Sequence, residues 1–152
     1  MATETSKPTT SEPVEMETYK GSCHCASHTY TILHPALTHP STRVLSCNCS
    51  ICIRSGALFI YPPNSAVQFT TGKLEDLKAY TFTPKRIAHY FCDTCGTYCM
   101  ARSVDPTYHA GTTCVNVRTL GGVEIPGLCV KEMDGANCDV DAEVEKYLGK
   151  GR

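Results

Sequence analysis

From Tyr19 onward the chain is a series of short runs of β-branched and aromatic residues, broken every few positions by proline or glycine. The runs cover residues 28–33, 42–46, 57–61, 66–70, 77–83, 86–91, 98–102 and 113–117. Side chains of this kind pack well on a pleated, half-buried surface, so each run predicts a strand. The breakers His34-Pro35, His39-Pro40, Pro62-Pro63-Asn64, Thr71-Gly72, Thr83-Pro84 and Asp105-Pro106 fall between the runs, where they serve as turns. A mainly β domain of antiparallel strands with short loops follows. Helical spacing occurs once, where Val140, Val144 and Leu148 recur every four residues and predict a short C-terminal helix over residues 139–148. Its shortness leaves a frayed tail as the alternative.

Residues 1–18 break the pattern. They are rich in Thr, Ser, Glu and Pro and nearly devoid of apolar side chains, so burial cannot repay the entropy of ordering them. They are expected to form a disordered N-terminal tail, and residues 19–152 a single domain. At 152 residues, 41% hydrophobic and 19% charged, the chain has the material for one modest core. The N-terminus lacks the apolar stretch of a signal peptide, and no run of about 18 apolar residues is present to span a membrane.

Cysteine changes the picture most. Seven of the 11 cysteines form three tight clusters, Cys23-x-Cys25, Cys47-x-Cys49-x-x-Cys52 and Cys92-x-x-Cys95. This is the spacing of thiolates around zinc, which takes four soft donors in a tetrahedron. A disulfide-stapled secreted domain is the rival reading. The odd cysteine count and the missing signal peptide both weigh against it, so the protein is placed inside the cell, in the cytoplasm. Seven thiolates binding two zinc ions would take the net charge from −1 to about −4, which disfavours nucleic acid as a partner.

Cys23, Cys25, Cys92 and Cys95 make a complete four-cysteine set. In an extended strand residues two apart share a face, so Cys23 and Cys25 are expected to reach one ion from a strand. Cys92-Asp93-Thr94-Cys95 needs a turn, which Gly96 can supply with a positive φ. Closing about 70 residues, this zinc is expected to be structural and to contribute folding energy.

Cys47, Cys49 and Cys52 form a tripod within six residues and leave a fourth position to be filled. Either a remote ligand such as Cys99, Cys114, Cys129, His89 or His109 closes it, or an external ligand does. Three thiolates bring Zn²⁺ to a local charge of −1, making it a poor activator of water but a good partner for another sulfur. A thiol substrate is the natural guest, held as thiolate near neutral pH for making or breaking a carbon–sulfur bond.

In order, Gly21-Ser22-Cys23-His24-Cys25, Cys47-Asn48-Cys49-Ser50-Ile51-Cys52 with Ser55-Gly56, and Phe91-Cys92-Asp93-Thr94-Cys95-Gly96 resemble the glutathione-dependent formaldehyde-activating enzyme / centromere protein V family. The resemblance runs from about Tyr19 to Gly135 and is strongest to eukaryotic members, including fungal single-domain proteins. It implies a β-tent fold of small antiparallel sheets, one structural four-cysteine zinc and one catalytic three-cysteine zinc. It also implies carbon–sulfur lyase activity on the adduct of glutathione and formaldehyde. Two positions depart from the family pattern: Ala26 stands where a glycine often follows the first cysteine pair, and Ile53 where a basic residue often follows the third tripod ligand.

With Ile53 uncharged, Arg54 is the nearest cation to the tripod and a candidate partner for a glutathione carboxylate. Ser50 is a candidate hydrogen-bond donor to a ligand sulfur, His89 a candidate for proton transfer, and Tyr61 a candidate pocket wall or phenol donor. Each is equally at home as a surface, turn or core residue. Cys99, Cys114, Cys129 and Cys138 read as small buried hydrophobes. Two other functions fit the same residues: a tailoring enzyme acting on another small metabolite, and a non-catalytic glutathione carrier or zinc-stabilised interaction module. Chromatin binding is disfavoured, because residues 1–18 hold one lysine and four glutamates. Edge strands of a small β domain leave a homodimer open.

Overall fold

The computed structural model describes residues 13–82 and 85–137, so the expected helix over residues 139–148 lies outside the described residues. The strands fall into two sheets. In the first, β1 (Met16–Ser22) pairs along its whole length with β2 (Thr29–Pro35), which pairs in turn with β5 (Val67–Thr71). The second contains β3 (Val44–Cys47), β4 (Phe59–Ile60), β6 (Lys78–Tyr80), β7 (Ile87–Phe91), β8 (Tyr98–Ser103), β9 (Thr113–Asn116) and β10 (Val130–Met133), in the order β10-β3-β4-β9-β8-β7-β6. One short helix, α1 (Ser50–Ser55), follows β3. The fold is mainly β, and no helix among the described residues is long and apolar enough to cross a membrane.

All eight expected runs contain a strand. Several features differ from expectation: β1 lies outside the eight runs, His34-Pro35 ends β2 rather than forming a turn, and α1 is a helix that the spacing does not predict. The strand β1 begins at Met16, so the last three residues of the expected 1–18 tail are ordered: Met16 lies opposite Pro35 and Thr18 opposite Leu33. Main-chain pairing does not require apolar side chains, which is why composition misplaced this boundary. Cys23 to Cys25 lie in the turn between β1 and β2 rather than in a strand. Finally, β10 was not expected, and it pairs with β3 in parallel, placing Val130 beside Val44 and Met133 beside Cys47. The other pairs are antiparallel.

Neighbouring residues of a strand point to opposite faces, and the second sheet uses both. Val44, Ile60 and Val115 join Tyr30 and Ile32 of the first sheet in the main core, whereas their neighbours Leu45, Phe59 and Cys114 turn to a smaller apolar cluster with Cys47, Cys52, Ala57 and Met133. Ile32 and Ile60 are fully buried, each contributing about 1.5–3 kcal/mol. The tripod therefore sits on the face of the second sheet opposite the main core.

Candidate metal centre

The ten described cysteines are all free, and two groups of them converge. The Sγ atoms of Cys23, Cys25, Cys92 and Cys95 all lie within 4.8 Å of one another. Cys25 is 3.7 Å from both Cys23 and Cys92, against an edge of about 3.8 Å for a tetrahedron of sulfurs around zinc. The β1–β2 turn supplies one pair of thiols and the β7–β8 turn the other, so an ion here would tie the two sheets together. Gly96 takes φ 74°, as the turn after Cys95 requires, and donates its amide to Cys92 O at 2.8 Å. Ala26 takes φ 59°, a backbone conformation that favours glycine.

Hydroxyls surround these sulfurs. Ser27 Oγ lies 3.1 Å from Cys25 Sγ and 3.5 Å from Cys92 Sγ, and Thr97 Oγ1 lies 3.2 Å from Cys95 Sγ. The Ser27 hydroxyl, helped by the amides of Cys95 and Thr94, lowers the Cys92 thiol to about 5. The hydroxyl and amide of Thr97 lower Cys95 to about 7. Both shifts favour the thiolate, the form that binds a metal.

The second group contains Cys47, Cys49 and Cys52, again with sulfurs within 4.8 Å of one another. Cys47 ends β3, Cys49 caps α1 and Cys52 sits one turn into α1. Hydrogen bonds from Cys47 and Cys52, and from the amides of Cys52 and Ile51, hold Cys49 far below the usual thiol range. Cys47 is pushed up chiefly by Cys49, against the opposing pull of Cys52, and Cys52 by both Cys47 and Cys49, with burial adding to each. Three thiols held this close, one of them drawn towards the thiolate by its neighbours, form a donor set suited to a divalent cation. Among the described residues the set stops at three. Of the remote ligands considered, Cys99 belongs to the main core, and Cys114 packs beside the tripod without joining it.

An aromatic wall faces this site. Phe59, Tyr61 and Tyr98 pack in the cluster that holds Cys47 and Cys52, and Phe59 and Tyr98 meet edge to face at 5.7 Å. Tyr98 Oη is 2.6 Å from His89 Nδ1. Burial, and then the nearby thiols, raise the Tyr98 hydroxyl, while burial lowers His89 against the opposing pull of Cys49. The pair is therefore a neutral imidazole beside a protonated phenol. Phe82 stacks on His89 at 5.3 Å and 15°, and Tyr80 stacks on Phe82 at 5.8 Å. Tyr80 and Phe82 are exposed, so the row of rings runs from solvent to the tripod.

The expected substrate residues separate in space. Tyr61 and His89 lie on the tripod side. Burial raises Tyr61 well above its ordinary range, so it stays a phenol. Arg54 is exposed and donates to Ser50 O, 2.9 Å away, within its own helix. Ser50 is exposed in the first turn of α1, where the amides of Ile51 and Cys52, rather than its hydroxyl, bond to Cys49. Sequence reasoning missed Tyr98, Phe82, Ser27 and Thr97. The last two stand two residues beyond Cys25 and Cys95, which is the signal that could have found them.

The sequence model of a family described as glutathione-dependent formaldehyde-activating enzyme matches residues 18–124, a span that includes all seven clustered cysteines. Comparison with curated proteins gives no significant match. Among solved structures, the crystal structure of a Rhodobacter sphaeroides protein, a Northeast Structural Genomics target, is similar at a TM-score of 0.60. It is 28% identical over 75% of this chain and 99% of its own.

Proposed function

This chain belongs to the glutathione-dependent formaldehyde-activating enzyme family, and on that basis we propose that it makes and breaks the carbon–sulfur bond of a glutathione adduct of formaldehyde or a related electrophile. One observation carries the proposal: a cluster of three thiols, with no fourth ligand among the described residues, beside a tyrosine–histidine pair. Cys47, Cys49 and Cys52 would hold one zinc, and Cys23, Cys25, Cys92 and Cys95 a second, structural one. When bound at the tripod, zinc supplies a site that lowers the pKa of an incoming thiol.

The chain's own groups complete the chemistry. Addition forms one carbon–sulfur bond, the carbonyl π pair moves to oxygen, and that oxygen takes up a proton while the thiol gives one up. Neutral His89 is suited to accept a proton and protonated Tyr98 to donate one, so together they balance the step in both directions. Phe59 and Tyr61 wall the site from water. Arg54, in the last turn of α1, is the candidate partner for a glutathione carboxylate, with Ser50 at the start of the same helix.

The test is the exchange of S-(hydroxymethyl)glutathione with glutathione and formaldehyde, followed by exchange NMR. Wild-type protein should accelerate it, and Cys49→Ser should not while retaining the four-cysteine metal. Exchange at the uncatalysed rate, in protein carrying both metals, would overturn the proposal.

The exposed Tyr80–Phe82 stack favours a second reading, in which the electrophile is a larger planar metabolite and the enzyme a tailoring enzyme. Turnover of an aromatic aldehyde conjugate lost in Phe82→Ala, with the formaldehyde adduct unaffected, would support it. Equal loss of both would place Phe82 in the wall alone.

A further inference from the structure

We propose that Asn48 is a positioning residue for the tripod metal, holding a main-chain strap, residues 133–136, over Cys47. This rests on the tripod being a metal site and not on the identity of the substrate.

Asn48 is the spacer between two ligands, yet its amide N–H and both polar atoms of its side chain engage the strap. Its amide N–H donates to Met133 O at 3.1 Å, its Nδ2 donates to Asp134 Oδ1 at 2.7 Å, and its Oδ1 accepts from Ala136 N at 3.0 Å. Asn137 Nδ2 meets the same Asp134 carboxylate, 3.1 Å from Oδ1. The parallel pairing of β10 with β3 delivers the strap, because it sets Met133 beside Cys47.

The strap comes closest at Gly135. A Cβ there would lie 2.4 Å from Cys47 Sγ and 3.3 Å from Cys49 Cβ, so the main chain rests directly on the ligands and a methyl group would displace the Cys47 sulfur. One flank of the tripod is thus closed by backbone, leaving the Tyr98 side for an incoming thiol. The strap lies beyond residues 18–124, the part that matches the family. Asn48 acts through the strap on the angle at which Cys47 and Cys49 present their sulfurs, as hydrogen-bonded groups behind metal ligands commonly do.

Cobalt(II) provides the test, since its thiolate charge-transfer and d–d bands report sulfur geometry. Subtracting the spectrum of each variant's Cys49→Ser counterpart isolates the tripod. Asn48→Ala should weaken cobalt binding at the tripod by about tenfold or more and shift its bands, leaving the four-cysteine site unchanged. Asn48→Asp should be worse, because it sets a second carboxylate against Asp134. Adding Asp134→Asn to it exchanges donor and acceptor and should restore both affinity and spectrum. Gly135→Ala should shift the bands in the same way.

A purely structural role would lower the melting temperature without moving the tripod bands, and that result would overturn the proposal. So would a swapped pair that folds but fails to recover. If wild-type protein binds only one cobalt, the tripod is not a metal site, and the proposal fails with that assignment.

Discussion

His89 Nδ1 and Tyr98 Oη stand 2.6 Å apart on the tripod side of the second sheet, joining β7 to β8 by a side-chain hydrogen bond across the pair. Burial lowers the imidazole and raises the phenol, so neither is charged near neutral pH. If this pair moves the proton, Tyr98→Phe should lower kcat by about 10²-fold, with KM and metal content little changed. Steady-state kinetics alongside metal analysis checks this. A fall in metal content with kcat per bound metal intact would assign the pair a supporting role only.

The four-cysteine group links the β1–β2 turn to the β7–β8 turn, 67 residues apart between Cys25 and Cys92. Neither sheet alone encloses the main core, so the link should be required for folding rather than for turnover alone. Cys92→Ser should give a protein without cooperative unfolding by circular dichroism, and chelation of wild-type metal should do the same. Cys52→Ser should still fold. Equal stability of the two variants would contradict this division of labour.

Ala26 occupies a left-handed conformation, φ 59°, immediately after the first cysteine pair. An L side chain is strained there and glycine is not. Ala26→Gly should therefore stabilise the metal-loaded protein by about 1 kcal/mol, despite the entropy glycine adds to the unfolded chain. Denaturant unfolding measures it, and destabilisation would show that the turn tolerates the methyl group.

His34 has its pKa lowered from 6.5 by burial, partly opposed by its hydrogen bond to Pro35 O. The unfolded chain binds the proton first as pH falls, so the stability from neutral His34 is present above 6.5 and is lost as pH drops towards the folded value. Melting temperatures should fall more steeply below 6.5 in wild type than in His34→Gln. Parallel curves would remove His34 from the acid response. Comparing the two proteins cancels the contributions of the ligand thiols and His89.

Eight of the ten described strands, all but β1 and β10, were legible because β-branched and aromatic runs bounded by proline and glycine are local signals. Both cysteine groups were legible for the same reason, being encoded in spacings of two and three residues. The geometry around them was not. Helix α1 is too short for a hydrophobic period to appear, and β10, Val-Lys-Glu-Met, carries no strand alternation, so its parallel partnership with β3 shows only in three dimensions. Tyr98 looked like an ordinary strand residue until its partner His89, nine positions earlier, came beside it. Asn48 and Gly135 are likewise far apart in the chain, and only the fold brings both to the tripod.

A tripod open to an external thiol gains a sulfur when glutathione binds. Zinc-edge X-ray absorption of the two-zinc protein, with and without glutathione, counts that sulfur. One closed and one open site should average about 3.5 sulfurs per zinc, rising to about 4 when glutathione binds. An average of about 4 without glutathione, or one of about 3.5 that saturating glutathione leaves unchanged, would contradict an open tripod.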